Sequence, residues 1–289
     1  MKMSVWTSFY IDLSPISAIT RCADLGWKAL EISAEHGESA TRGDDWQKQL
    51  ENIRNLCEKR DIKLVQMHSP LRLDVADPDP DNRKNDINTA VKWIEYSHEL
   101  GIPNLVIHPG GRHGSQTEEE EEKVFDLNVD AFKYLAEFAD KFNVYICIEN
   151  MQERENKDPR RFGAFIYDIN ELIDTVSSDH IGICFDTSHA NVTGLDMQRA
   201  IKECGNRLLA THISDNDGSG DQHYIPFNGN INWTDVISAL KDIDYKGAFN
   251  LEIPGESRIP KGSSLIPLEV RDAKLKYAMN ILSDVFSIT

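Results

Sequence analysis

Side chains of the metal-ligand type recur at one place in this chain, the end of a short apolar run. His68 ends KLVQMH, His108 ends NLVIH, Glu149 ends VYICIE and Asp186 ends IGICFD. His212 and Glu252 lie next to the ends of LLATHI and AFNLEI. His189 follows soon after Asp186, and Asp221 and His223 lie in the stretch behind LLATHI. Taken singly, a His or Asp at such a position is more often a cap or a loop hydrogen-bonder than a ligand. Gathered together, carboxylates and imidazoles repel or go unsatisfied unless a cation sits among them. The donors are nitrogen and oxygen without cysteine, which suits zinc, manganese or a related divalent ion. His36, His98, His113 and His180 lack this alignment and read as ordinary histidines.

What must position these residues is a pattern repeated along the chain. Apolar runs fall at 3–9, 28–33, 63–68, 104–108, 144–149, 181–186, 208–213 and 248–253. Helical patterns lie between and after them, near 14–25, 45–60, 84–100, 117–141, 168–177, 196–204, 233–241 and 267–286. Continuous apolar runs suit strands of a parallel sheet buried on both faces. Eight strand–helix units in a chain of this length point to a single (β/α)8 barrel domain over residues 1–289. A doubly wound open sheet is the weaker alternative, because no glycine fingerprint is present. In a barrel all C-terminal strand ends meet at one face, so the six side chains would share one pocket. Strands 5 and 8 are expected to face one another across the ring, with Glu149 and Glu252 on two sides of a substrate.

Two acidic stretches have plain explanations. Glu118–Glu122 follow Ser115 and Thr117, either of which can cap a helix, and carboxylates suit a helix start. The stretch 73–86 has aspartates at calcium-loop spacing but lacks the glycine and glutamate such a loop needs. It reads as a long active-site loop.

The chain carries 31 Lys and Arg against 48 Asp and Glu, a formal charge of −17. That balance works against nonspecific binding to nucleic acid and to anionic membranes. The five cysteines include no C-x-x-C pair, and Cys147 and Cys184 lie inside apolar runs as buried free thiols. The N-terminus has no long apolar segment, so a cytoplasmic location is expected, and self-association is compatible with the sequence.

CIEN (147–150), CFDTSHA (184–190), THISDNDGSGDQHYIPFNGNINW (211–233) and NLEIPGES (250–257) resemble the xylose isomerase-like barrels. That superfamily includes ketose 3-epimerases, sugar-phosphate isomerases and epimerases, and endonuclease IV proteins. The resemblance implies one divalent metal, zinc or manganese, on Glu149, Asp186, His212 and Glu252. In endonuclease-like members His68, His108, His189, Asp221 and His223 would extend this to as many as three ions. It implies a metal-dependent sugar or sugar-phosphate isomerase/epimerase of carbohydrate metabolism, moving a proton through a metal-stabilised enediolate. Glu149 and Glu252 would be its acid–base pair, and His189 would bond a substrate oxygen or ligate a second metal. A keto-sugar or keto-inositol lyase or dehydratase uses the same logic. A trinuclear zinc endonuclease acting at abasic DNA is the alternative of a different class. One departure stands out: ketose epimerases carry an arginine shortly after the strand 7 histidine, whereas SDNDGSG has none. Arg154, Lys157, Arg160 and Arg161, with Arg258 and Lys261, are candidates for an anion clamp or for ordinary solvated charge. Trp6, Phe9, Phe227 and Trp233 are candidates for a sugar-stacking wall or for core.

Overall fold

The computed structural model describes residues 1–154, 158–255 and 266–285. The first elements are β1 (Lys2–Trp6), α1 (Pro15–Asp24), β2 (Ala29–Ile32), α2 (Ala34–Ala40), α3 (Trp46–Arg60) and β3 (Lys63–His68). Then come α4 (Pro80–Leu100), β4 (Asn104–Ile107), α5 (Glu118–Phe142), β5 (Tyr145–Glu149), α6 (Ile166–Val176) and β6 (Ile181–Asp186). The remainder are α7 (Thr187–Thr193), α8 (Met197–Cys204), β7 (Leu208–His212), α9 (Trp233–Asp242), β8 (Ala248–Leu251) and α10 (Leu268–Val285). Neighbouring strands pair in parallel in the order β7-β6-β5-β4-β3-β2-β1-β8. A parallel bridge between Ile213 and Leu251 brings the two outer strands together. The sheet is thus a (β/α)8 barrel with its helices outside.

Side chains of a strand alternate between its two faces, and here that parity places the site. Outward-facing Leu105, Ile107, Ile146, Ile148, Ile183 and Phe185 join the main core with the helices. Val106, Cys147, Cys184 and Ala210 form a separate small cluster in the lumen. Two residues further along the same inward parity stand His108, Glu149, Asp186 and His212. The ligand-type residues are therefore the top layer of the lumen. All five cysteines are buried and free, as expected for Cys147 and Cys184.

Several boundaries differ from the sequence reading for local reasons. β1 stops at Trp6, and Thr7–Tyr10 form a buried 3-10 turn whose Thr7 hydroxyl accepts from the Ser33 N–H at 3.0 Å. The 73–86 stretch is only half loop, because α4 begins at Pro80, with Asp79 accepting from the N–H groups of Asp81 and Asn82. Asp74 accepts from the Gly111 N–H at 2.8 Å and ties this loop to the one after β4. These aspartates are caps and fasteners. Thr117 caps α5 by accepting from the Glu120 N–H, so the acidic run is a helix start. No described helix is long and apolar enough to cross a membrane.

Candidate metal centre

The junction of β6 and α7 explains one spacing in the site. Asp186 is the N-cap of α7, and its Oδ1 accepts from the His189 N–H at 2.7 Å. One helical turn then carries the His189 ring back over the same carboxylate, 3.9 Å from Oδ2. Capping uses one oxygen and leaves Oδ2 buried without a hydrogen-bond partner.

That oxygen faces three other ligand atoms. Glu149, Asp186, His212 and Glu252 are all buried and each offers an atom within 4.8 Å of the others. His212 Nδ1 stands 3.1 Å from Glu149 Oε1 and 3.4 Å from Glu252 Oε2. Asp186 Oδ2, His212 Nδ1 and Glu252 Oε2 have no hydrogen-bond partner, although burial makes an unpaired polar atom costly. A cation among them would satisfy all three at once. The residues present fit a divalent ion.

The hydrogen bonds behind the histidines set which nitrogen faces inward. Glu31 Oε1 accepts from His212 Nε2 at 3.1 Å, which leaves Nδ1 as the free acceptor. Glu31 is fully buried and also accepts from Gln66 Nε2 at 3.2 Å and from Asn250 Nδ2. His68 Nδ1 donates to the Ser69 carbonyl at 2.7 Å, which turns its Nε2 toward Glu149 Oε2 at 3.1 Å. His108 Nε2 lies 3.3 Å from that oxygen, so His68, His108 and Glu149 form a second candidate ligand group. Asp221 Oδ2 is 2.8 Å from His223 Nε2 and 3.4 Å from His189 Nε2. Both of these rings direct Nδ1 at a carbonyl, of Glu252 at 2.9 Å and of Asn150 at 2.8 Å. All nine candidate residues are brought to one mouth.

The electrostatics of the cluster ask for positive charge. Burial raises the proton affinity of Glu149, but His212 and His108 outweigh it and hold the carboxyl well below its usual range. Burial pushes Glu252 up to about 8 against the pull of His212 and His223. Burial also works against protonated His189, yet Asp186 and Asp221 lift it well above the ordinary histidine value. His223 rises to about 10 in the same way, against burial and through Glu252 and Asp221. His108 goes the other way, pushed down to about 4 by burial. The carboxylates favour positive charge on His189 and His223, the charge that a bound cation would also supply.

Other expected residues divide clearly. Trp6 stacks on His223 with ring centroids 6.2 Å apart and planes at 7°. Phe9 is core, Trp233 is core with Nε1 donating to Asp215 Oδ2 at 3.0 Å, and Phe227 is half exposed. Arg154 pairs with Asp158, and Arg160 pairs with Asp168 and Glu153. Arg161 lines a cavity of about 400 Å³ beside Asp221, together with Arg112 and His113. Lys157, Arg258 and Lys261 lie outside the described residues. In the closed ring β5 and β8 are separated by β6 and β7, and Glu149 and Glu252 approach His212 Nδ1 from these two strands. Sequence reasoning missed Glu31. Its signal was a carboxylate in the middle of the apolar run KALEIS, where no exposed face exists to receive it.

Comparison with known proteins agrees with this architecture. The family model described as xylose isomerase-like TIM barrel matches residues 19–275. The chain belongs to that family. "Uncharacterized protein MJ1311" of Methanocaldococcus jannaschii is 27% identical over 257 residues, covering 87% of this chain and 83% of the relative. "Probable endonuclease 4" of Ureaplasma parvum serovar 3 is 26% identical over 208 residues, 66% of each chain. The solved structure of a D-tagatose 3-epimerase-like protein superposes with a TM-score of 0.80 at 22% identity, over 100% of this chain and 98% of that one. That likeness is one of fold.

Proposed function

We propose that this xylose isomerase-like barrel is a metal-dependent sugar or sugar-phosphate isomerase/epimerase, one domain over residues 1–289 working in the cytoplasm. The observation that carries the proposal is the pair of buried carboxylates, Glu149 and Glu252, on either side of His212 Nδ1 in the ligand cluster at the barrel mouth. Glu149, Asp186, His212 and Glu252 would hold zinc or manganese, which when bound polarises a substrate carbonyl as a Lewis acid. Glu149, on one side of His212, would remove the proton from the carbon beside that carbonyl. Glu252, on the other side, would return one. Return to the opposite face gives an epimer, and return to the neighbouring carbon gives an isomer. His189 holds a substrate oxygen, and Trp6 stacked on His223 offers an apolar wall. A cavity of about 400 Å³ has the size of small-ligand sites. The epimerase-like structural neighbour shares the fold required.

A second reading, a trinuclear zinc endonuclease for abasic DNA, is favoured by the convergence of all nine ligands and by the endonuclease-named relative. The charge of −17 weighs against it. The deciding experiment incubates the metal-loaded chain in heavy water with free and phosphorylated ketoses. Deuterium entering at the carbon beside the carbonyl, with loss in Glu149→Gln and Glu252→Gln variants of measured metal content, is the expected result. No exchange with any ketose, about three zinc ions per chain and nicking of an abasic duplex would overturn it.

A further inference from the structure

The cavity beside Asp221 has an unusual distribution of charge partners. Among the described residues most arginines are neutralised, for example Arg21 by Asp272, Arg207 by Asp174 and Arg271 by Asp12. Within the cavity wall Arg154 is closed by Asp158 through bonds of 3.0 and 2.9 Å. The neighbouring Arg160 turns away from the cavity to Asp168 at 2.7 and 2.6 Å. Arg161 behaves differently. Its backbone N–H is pinned by Glu153 Oε2 at 2.6 Å and its carbonyl accepts from Arg160. Its half-buried guanidinium has no hydrogen-bond or ion-pair partner among the described residues. Arg112, in the same cavity wall, donates to the Arg72 carbonyl at 3.2 Å and holds no carboxylate among the described residues.

A guanidinium partly withdrawn from water with no partner among the described residues is costly in a chain with carboxylates to spare. Burial weakens its hold on its proton, Glu149 strengthens it, and Arg112 weakens it again. The planar fork of arginine matches the two oxygens of a carboxylate or phosphate. We infer that Arg161, with Arg112 beside it, binds a terminal oxyanion of the substrate, a phosphate or a carboxylate, while the carbonyl end lies over Glu149 and Glu252. The inference rests on the isomerase reading and narrows it to anionic sugars. The same cavity wall carries Arg161, Arg112 and Asp221 of the ligand cluster, and Arg161 lies within the electrostatic reach of Glu149.

The test titrates inorganic phosphate and glycolate into the metal-loaded full chain by calorimetry, with Arg161→Ala, Arg161→Lys and Arg199→Ala alongside. Melting curves confirm that each variant is folded. Saturable binding of one anion should weaken about tenfold to a hundredfold in R161A, the range of hydrogen bonds to a charged group. Partial recovery is expected in R161K, and less than about twofold change in R199A, an arginine paired with Glu203 outside the cavity wall. The stronger of the two anions identifies phosphate or carboxylate as the group recognised. Failure of both anions to bind the parent overturns the inference, as does equal binding by R161A, the mark of an anion resting on metal alone. Weakening seen only with an abasic duplex would assign Arg161 to nucleic acid and overturn it too. Deuterium exchange separates the two claims. If no ketose exchanges while R161A still weakens small-anion binding, the isomerase reading falls and the oxyanion site stands. If a free ketose exchanges equally in parent and R161A and anion binding is unchanged, the reverse holds.

Discussion

Replacing Glu31 by glutamine should weaken metal binding without removing any proposed ligand. Glu31 Oε1 accepts from His212 Nε2, while Oε2 accepts from Gln66 and Asn250. A glutamine cannot reproduce both sides. With its oxygen toward His212, its amide nitrogen confronts two amide donors in a fully buried position. With its nitrogen toward His212, the imidazole must accept at Nε2, and its proton moves to Nδ1, the atom that faces Glu149 and Glu252. Loss of such a supporting carboxylate costs about 10- to 100-fold in metal affinity, or about 1.4–2.7 kcal/mol. Competition against a chromogenic chelator with zinc and manganese measures this directly. Circular dichroism of the metal-free variant checks the fold. In a cycle with His212→Ala, E31Q should add little further loss, because its effect runs through His212. Unchanged affinity in folded E31Q, or full additivity with H212A, would refute the assignment of the His212 tautomer.

Other consequences follow from packing and charge. Asp12→Asn leaves the buried Arg271 without its charge partner at 2.6 and 3.0 Å, and should lower unfolding free energy by about 3 kcal/mol in denaturant titrations at neutral pH. The hydrogen bond from Arg271 holds the Asp12 carboxyl below its ordinary value of 3.8, so this stability is present above that pH and lost as pH falls through the lower folded value. D12N should flatten that acid limb, and an unchanged limb would count against the pair. Gly229→Ala would place Cβ 2.2 Å from the Asn216 carbonyl and 2.3 Å from Asp215 Oδ1, and should cost about 1–3 kcal/mol while loosening the loop that carries Asp221 and His223. Its melting temperature and metal affinity should fall together. Stripping metal should lower the melting temperature of the parent, and free zinc at about 100 times Kd should restore about 2.7 kcal/mol. Identical melts with and without chelator would contradict a native-state metal.

Much of the site was legible because barrel geometry converts a strand-end residue into a mouth residue. Asp186, His212 and Glu252 could be placed together from their runs alone, and the structure brings all nine candidates to one face. The strands read as uniformly apolar, yet small Cys147 and Cys184 fill the lumen while Ile146, Ile148 and Ile183 face the helices. Inward parity, more than apolarity, carries Glu149 to the mouth. Glu31 escaped because it stands inside its run, where a register shift between Leu30 and Glu31 leaves it opposite Gln66. The helix α7 escaped because its cap, Asp186, was read only as a ligand. Arg161 could not be separated from Arg154 and Arg160 by sequence, since only folding shows which of them found carboxylates. Glu149 and Glu252 stand on strands three places apart in the ring, and both reach the same His212 nitrogen.

Asp186→Asn probes the metal centre with the least disturbance to the fold. Asparagine keeps an oxygen to accept the His189 N–H and cap α7, but loses the charge on the buried, unpaired Oδ2. Metal titration of parent and D186N, with melts of the metal-free proteins as control, is the direct measurement. A centre built on Glu149, Asp186, His212 and Glu252 requires that D186N fold like the parent and bind zinc and manganese more than about 100-fold more weakly, beyond the range of a supporting residue. Parental affinity in folded D186N would contradict a metal held at this mouth.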